Sequence, residues 1–147
     1  MNGVSTRVMR EEDILQILEI EGKAFSTPWS ETAFIAEIHK PYAFNRVLMI
    51  GSRIAGYLCA NLILNEGHIL NLAVRSEFRR RGVASWLMRE TCTELKKKGC
   101  RVLYLEVRSS NAPAKKFYEK LGFKVAGLRK HYYVNPIEDA ALMMRQL

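Results

Sequence analysis

The stretch from His68 to Val107 leaves a chain few ways to fold. "HILNLAV" (residues 68–74) reads as a strand, and the loop "RSEFRRRG" follows it. Val83, Trp86, Leu87, Glu90 and Cys92 to Leu95 then give a mostly apolar helical stripe, which Gly99 stops. "RVLYLEV" is a second strand, nearly apolar throughout except for Glu106. A strand, a crossover helix and another strand make a β-α-β unit.

The flanking segments extend this unit into a sheet. "VSTRVMR" reads as an opening strand. "EEDILQILEIEGKAF" reads as a helix with acids in its first turn, where the helix dipole favours them. Ile14, Ile17, Leu18, Glu21 and Phe25 fall near helical spacing. "STPWS" breaks that helix, and Ser30 can cap the next, "ETAFIAEIH", which ends before Pro41. "AFNRVLMI", a turn at Gly51-Ser52, "RIAGYLCANLIL", a turn at Asn65-Glu66-Gly67 and the strand from His68 form an antiparallel meander. After the β-α-β unit, "SSNAPAKKFYEKLGF" is a short helix capped by Ser110 or Asn111, with Pro113 in its first turn and Gly122 at its end. "KVAGLRKHYYV" and "DAALMMRQL" close the chain as strands.

The predicted order is β-α-α-β-β-β-α-β-α-β-β. It describes an α/β fold of the α+β type, with a mixed, mostly antiparallel sheet flanked by helices. Residues 1–147 are expected to form one domain. Sheets of this kind take ligands at the carboxyl ends of strands, where the sheet opens or changes direction.

Composition narrows the chemistry less. With 23 Lys and Arg against 15 Asp and Glu, the net charge of +8 suits an anionic partner. Nucleic acid, ribosome, nucleotide and acidic membrane all qualify. Cys59, Cys92 and Cys100 match no zinc or redox spacing and read as buried free thiols. His39, His68 and His131 stand at no ligand spacing, so no metal is expected. No stretch approaches the ~20 apolar residues of a membrane span. Glu11, Glu12 and Asp13 break the first apolar run before it can read as a signal peptide. A cytoplasmic location is the expectation.

The arginine loop is the strongest local signal. The first amides of a helix lack internal partners, and its N-terminus carries partial positive charge. Gly82 leaves room for an anion to approach, Val83 and Ala84 continue the amide row, and Arg79, Arg80 and Arg81 add attraction. A pyrophosphate fits. The same run also reads as a generic basic turn. Neighbouring arginines on one loop make a poor base-reading surface, and the glycine spacings of dinucleotide and Walker loops are absent.

Arg79-x-x-Gly82-x-Ala84 after a strand resembles the Q/R-x-x-G-x-G/A motif of the GNAT superfamily of acyltransferases. "LEVRSSNAPAKKFYEKLGF" is similar to the superfamily's next β-α unit, and the element order is its expected fold. Several stretches resemble the bacterial ribosomal-protein-alanine N-acetyltransferases within it. These are "AFSTPWS", "NLAV", "LEVRSSN", "FYEKLGF" and "LRKHYYVNPIEDAALMM".

The resemblance implies acetyl-CoA as cosubstrate and a protein N-terminus as acceptor, with the N-terminal alanine of a small-subunit ribosomal protein foremost. An Nε-lysine or broader Nα-acetyltransferase is the alternative. A non-catalytic acetyl-CoA- or nucleic-acid-binding module is a more distant one. No membrane partner and no direct nucleic-acid recognition are expected.

The same resemblance assigns residues. Arg79 would open the motif, and Arg80, Arg81, Gly82, Val83, Ala84 and Ser85 would contact the pyrophosphate. Leu72, Ala73 and Val74 would offer strand-end groups to the pantetheine arm and thioester. Asn111 would contact the cosubstrate or serve as a plain N-cap. Glu106 would be the general base; its alternative is an exposed strand position paired with Arg108 or Arg101. An α-ammonium has a pKa of about 7.7–8.0, so roughly a tenth is neutral at pH 7, and a carboxylate acting directly or through water need shift only a modest equilibrium. A lysine amine, near 10.4, is about three hundred times harder to deprotonate. Tyr118 would be the general acid toward the CoA thiolate, although its helical spacing with Ala114, Phe117 and Leu121 also suits a core aromatic. Phe25, Trp29, Tyr132 and Tyr133 would wall the peptide slot, and packing explains each of them equally. "HYYVNPIED" places extra residues between the tyrosines and the acidic pair relative to the shortest family forms.

Overall fold

A computed structural model describes residues 3–147. Its seven strands form one sheet: β1 (Val4–Val8), β2 (Ala43–Ile50), β3 (Arg53–Ile63), β4 (Glu66–Val74), β5 (Val102–Arg108), β6 (Lys124–Val134) and β7 (Ile137–Gln146). The spatial order is β1-β2-β3-β4-β5-β7-β6. Every pairing is antiparallel except β4 with β5. The helices are α1 (Ile14–Ala24), α2 (Glu31–Ile38), α3 (Val83–Lys97) and α4 (Ala112–Lys120). The element order is the predicted one.

The sheet separates two apolar layers. Phe34, Val47, Ile54, Tyr57 and Cys59 join Ile14, Ile17 and Ile20 under α1 and α2. On the other face, Leu58, Ile69, Leu103, Leu105 and Val107 pack with Val83, Leu87, Met88 and Leu95 of α3; Phe117 and Tyr118 of α4 lean on the same cluster. Buried on both faces, β3 is a nearly unbroken apolar run rather than an alternating one.

Boundaries moved where tertiary contacts outweighed local chemistry. β4 begins at Glu66, so the chain reverses at Leu64-Asn65 and not at Asn65-Glu66-Gly67. A Cβ on Gly67 would lie 2.8 Å from Leu103 Cδ1 and 3.0 Å from Cys100 Sγ; this glycine serves close packing inside the strand. Glu11–Asp13 form a 3-10 turn ahead of α1, with Asp13 accepting from the Arg10 amide and from both Arg7 guanidinium nitrogens, each at 2.8 Å. Asn111, rather than Ser110, caps α4.

Two irregularities prepare the site. β4 pairs with β5 at Glu66–Val102, Gly67–Leu103 and His68–Tyr104, and then the two strands diverge. The register of β4 on β3 also shifts between Ile69 and Asn71. At this bulge Leu70 and Asn71 both face the α1 layer, which reverses the facing of the residues that follow.

Candidate active site

Glu106 lies two residues beyond the last β4–β5 pair, on the face opposite Leu105 and Val107. Its side chain is only 5% exposed. His68 Nε2 lies 2.6 Å from Oε1, and Arg129 Nε of β6 lies 3.0 Å from Oε2. The sequence-based pairing with Arg108 or Arg101 is therefore not formed. Arg108 turns to Glu138 and to the carbonyls of Asn135 and Pro136. The main-chain amide of Arg101, just ahead of β5, reaches Asn65 O at 2.7 Å.

Burial pushes the Glu106 carboxyl up, but the His68 hydrogen bond and the nearby His68 and Arg129 charges outweigh it. The carboxyl is held below the ordinary glutamate value. It is an anion throughout the neutral range. Its partners His68 and Arg129 help line an open groove of about 510 Å³, together with Asn61, Ile63 and Tyr104.

Aromatic hydroxyls gather nearby. The β6–β7 register shifts between Arg129 and Tyr133, where His131 takes φ 53° and its amide donates to Asp139 Oδ1 at 2.8 Å. Tyr132 and Tyr133 follow, edge to face with ring centroids 5.0 Å apart. The Arg108 guanidinium sits 4.4 Å from the Tyr133 ring centroid. Burial raises the Tyr132 phenol, with the Glu106 charge next, and burial with Tyr132 and Glu106 pushes Tyr133 up to about 12. The acidic pair after the extra residues braces these loops, since Glu138 Oε2 accepts from the Ser110 amide at 2.7 Å.

Tyr118 packs against Phe117 and Phe123 at 5.1 and 5.8 Å between centroids. Burial, with a smaller contribution from Tyr133, pushes its phenol up to about 12. It is a neutral O–H donor at pH 7. Its packing is that of a core aromatic, and a neutral hydroxyl is compatible with the donor role. Asn111 Oδ1 accepts from the Ala114 amide at 3.2 Å, so its oxygen caps the helix while its amide nitrogen remains a possible donor outward.

The arginine loop ends at Gly82, the N-cap of α3, with φ 79°. A Cβ there would meet no protein atom within 4 Å. The protein's own demand for glycine is thus the left-handed backbone. Arg80 also takes a positive φ, 63°. Among the described residues, the amides from Arg80 to Ser85 have no protein acceptor, and Arg79, Arg80, Arg81 and Gly82 are exposed. A row of free amides ringed by guanidinium groups fits a diphosphate. Leu72, Ala73 and Val74 lie on β4 beyond its last pair with β5, leaving one backbone edge open toward the gap. That edge can pair with an extended, amide-bearing ligand as a strand would.

Phe25 and Trp29 lie in the α1–α2 loop. Ser26 Oγ in that loop donates to Asn135 O of the β6–β7 turn at 3.0 Å. The two segments therefore meet. His68 and Arg129 are the site residues that sequence reasoning missed. Among the described residues, no group of three or more His, Cys, Asp or Glu could hold a metal ion.

An opened β4–β5 pair, a helix start with free amides and a buried carboxylate suit an acyl-CoA-dependent transferase. The chain belongs to the GNAT acetyltransferase family, whose profile matches residues 14–123. It is 36% identical over 145 residues to the [ribosomal protein bS18]-alanine N-acetyltransferase of Salmonella typhimurium, covering 97% of this chain and 96% of that one. The crystal structure of the ribosomal-protein-S18-alanine N-acetyltransferase from Escherichia coli superposes with a TM-score of 0.90 at 32% identity, covering 97% and 93% of the two chains. Arabidopsis thaliana NAA60 in complex with acetyl-CoA shares the fold at a TM-score of 0.89 and 18% identity, covering 98% of each chain.

Proposed function

We propose that this chain transfers acetyl from acetyl-CoA to a protein N-terminal α-amine, that of the alanine opening a small-subunit ribosomal protein. One observation carries the reading: Glu106, buried and paired with His68 and Arg129, stands where β4 and β5 part. We read residues 1–147 as one acetyltransferase domain that works in the cytoplasm; no helix among the described residues is long and apolar enough to cross a membrane.

The residues divide the work. The amides from Arg80 to Ser85 and the guanidinium groups of Arg79, Arg80 and Arg81 hold the diphosphate. The free edge at Leu72, Ala73 and Val74 holds the pantetheine arm and brings the thioester to the gap, with Asn111 on its far side. Phe25, Trp29, Tyr132 and Tyr133 wall the acceptor peptide. As the amine nitrogen attacks the thioester carbonyl, Glu106 accepts its proton, directly or through one water. The carbon–sulfur bond breaks as the intermediate collapses, and the Tyr118 hydroxyl donates to the departing thiolate. Cys92 and Cys100 sit in the α3-side core with burial raising both thiols, which suits direct transfer and not an acyl-cysteine intermediate.

The test is mass spectrometry of small-subunit ribosomal proteins incubated with the enzyme and acetyl-CoA, reading both mass gain and position. One acetyl on an N-terminal alanine is the expected product. Acetyl on internal lysines alone would overturn the reading in favour of a lysine acetyltransferase.

A further inference from the structure

Glu21 takes no part in the chemistry above, yet it is 1% exposed. A carboxylate so buried is costly unless its oxygens are satisfied. Oε1 accepts from the Tyr57 hydroxyl and from Asn71 Nδ2, the latter at 2.8 Å. Oε2 accepts from the main-chain N–H of Trp29 at 2.9 Å. These donors belong to three different places: the central strand β3, the bulge of β4 and the α1–α2 loop. All three can donate, and a carboxylate can accept from all of them on its two oxygens. Burial and the bond to Glu21 push the Tyr57 phenol well above its ordinary value, which keeps it a donor.

Among the described residues, two hydrogen bonds hold Ser26 to Trp29 to the rest of the protein. Ser26 Oγ reaches Asn135 on the β6–β7 side, and the Trp29 amide reaches Glu21 on the sheet side. The carboxylate that grips the loop also grips Asn71, where β4 bulges on its way to the opening.

We propose that Glu21 is a positioning residue for the acceptor peptide: it ties the α1–α2 loop to the bulge of β4, so that the wall of the slot and the opened strand are held in one fixed relation. This rests on the reading of that loop as a wall of the peptide slot.

Glu21→Gln is nearly isosteric but replaces one oxygen with an NH₂ group. If the remaining oxygen serves Tyr57 and Asn71, the NH₂ faces the Trp29 N–H and the loop tether is lost. Losing one hydrogen bond to a charged group corresponds to about a tenfold rise in KM for an alanine-initiated peptide. Acetyl-CoA affinity, read by calorimetry, should stay within about twofold. Tyr57→Phe is the control: it removes a buried donor and some stability but leaves the Trp29 bond, so peptide KM should stay within about twofold.

A second readout is independent of turnover. In a Trp86→Phe background Trp29 is the sole tryptophan. Glu21→Gln should make its fluorescence more accessible to acrylamide, and Tyr57→Phe should not. Equal KM changes in the two variants, or unchanged quenching in Glu21→Gln, would overturn the proposal. If Glu21→Gln does not fold, amide hydrogen exchange in the wild-type protein decides. A Trp29 amide exchanging as fast as those of Ser26 and Thr27 would refute the tether. A wild-type enzyme that acetylates no α-amine would sink the proposed function instead, while quenching and exchange still report on the tether.

Discussion

Replacing Glu106 with Gln tests how the carboxylate handles the proton. His68 and Arg129 hold Glu106 below the ordinary 4.5 of a glutamate, against a burial effect in the opposite direction. An α-ammonium loses its proton near 7.7–8.0. The gap exceeds about three units, or about 4 kcal/mol, so fewer than about one in a thousand complexes would carry the proton on Glu106 at rest. In the proposed mechanism Glu106 acts later than this resting equilibrium, when bond formation to the carbonyl makes the attacking nitrogen strongly acidic. Positioned bases of this sort contribute about 10²–10⁴ in rate. Glu106→Gln should lower kcat/KM by that factor, and by the same factor at pH 7 and pH 9. Both enzymes should show a rise in kcat/KM with an apparent pKa near 8, which belongs to the acceptor amine. The assay follows release of the CoA thiol with a chromogenic disulfide, and thermal denaturation of both proteins checks folding. A defect that shrinks about tenfold between pH 7 and pH 9 would refute the reasoning, because that is the change in neutral amine from roughly a tenth to nine-tenths.

Other perturbations probe the remaining parts. Tyr118→Phe keeps the packing with Phe117 and Phe123 but removes the donor; kcat should fall about 10²-fold with little change in peptide KM, and an unchanged kcat in single-turnover assays would leave Tyr118 a core aromatic. Because the folded state depresses Glu106, the stability it contributes is present above pH 4.5 and lost as pH falls through its folded value. The stability difference between the wild type and Glu106→Gln in urea titrations should thus shrink as pH falls below 4.5, and a difference that grows instead would contradict the lowered carboxyl. Gly56→Ala would place a Cβ 2.8 Å from Val83 Cγ1 and 2.9 Å from Ala73 O, directly beneath the start of α3. It should destabilise the fold by about 1–3 kcal/mol and weaken acetyl-CoA binding by calorimetry; unaltered affinity would mean the amide row tolerates a displaced Val83.

Local chemistry made much of this readable. Periodicity and punctuation in the sequence yielded the element order, because "RSEFRRRG" and "SSNAP" are loops on any reading and "VLYLEV" has few alternatives to a strand. The row of free amides at the start of α3 was legible for the same reason: it consists of neighbours in sequence. The partners of Glu106 were not. His68 lies 38 residues away and meets it only through the parallel β4–β5 register, while Arg129 arrives from β6 across β7. Nearness in sequence favoured Arg108, and that side chain was claimed by Glu138 and two carbonyls of the β6–β7 turn. Gly67 reads as a turn residue until Leu103 and Cys100 are seen against it. Glu21 did leave a trace, a carboxylate on the apolar stripe of α1, but its three donors lie in other elements.

The bulge and the parting of strands act together. β4 must remain paired to β3 along its length, or the two apolar layers would separate. It can leave β5 only if something else occupies the gap. The extra residue at Leu70-Asn71 adds local twist and turns Asn71 and Ala73 toward α1, where Glu21 and the apolar cluster receive them. From there to Val74, the β4 edge facing β5 carries backbone groups without a strand partner, and after Arg75 and a 3-10 turn at Ser76–Phe78 the chain reaches the unpaired amides from Arg80 to Ser85. Two adjacent sets of backbone hydrogen-bonding groups then face one opening. A ligand with an anionic diphosphate at one end and successive amides along its arm satisfies both, with its reactive end carried toward Glu106. The same departure of β4 thus frees a backbone edge beside β5 at the level of Glu106, and in the proposed mechanism one sheet defect would serve both the cosubstrate and the base.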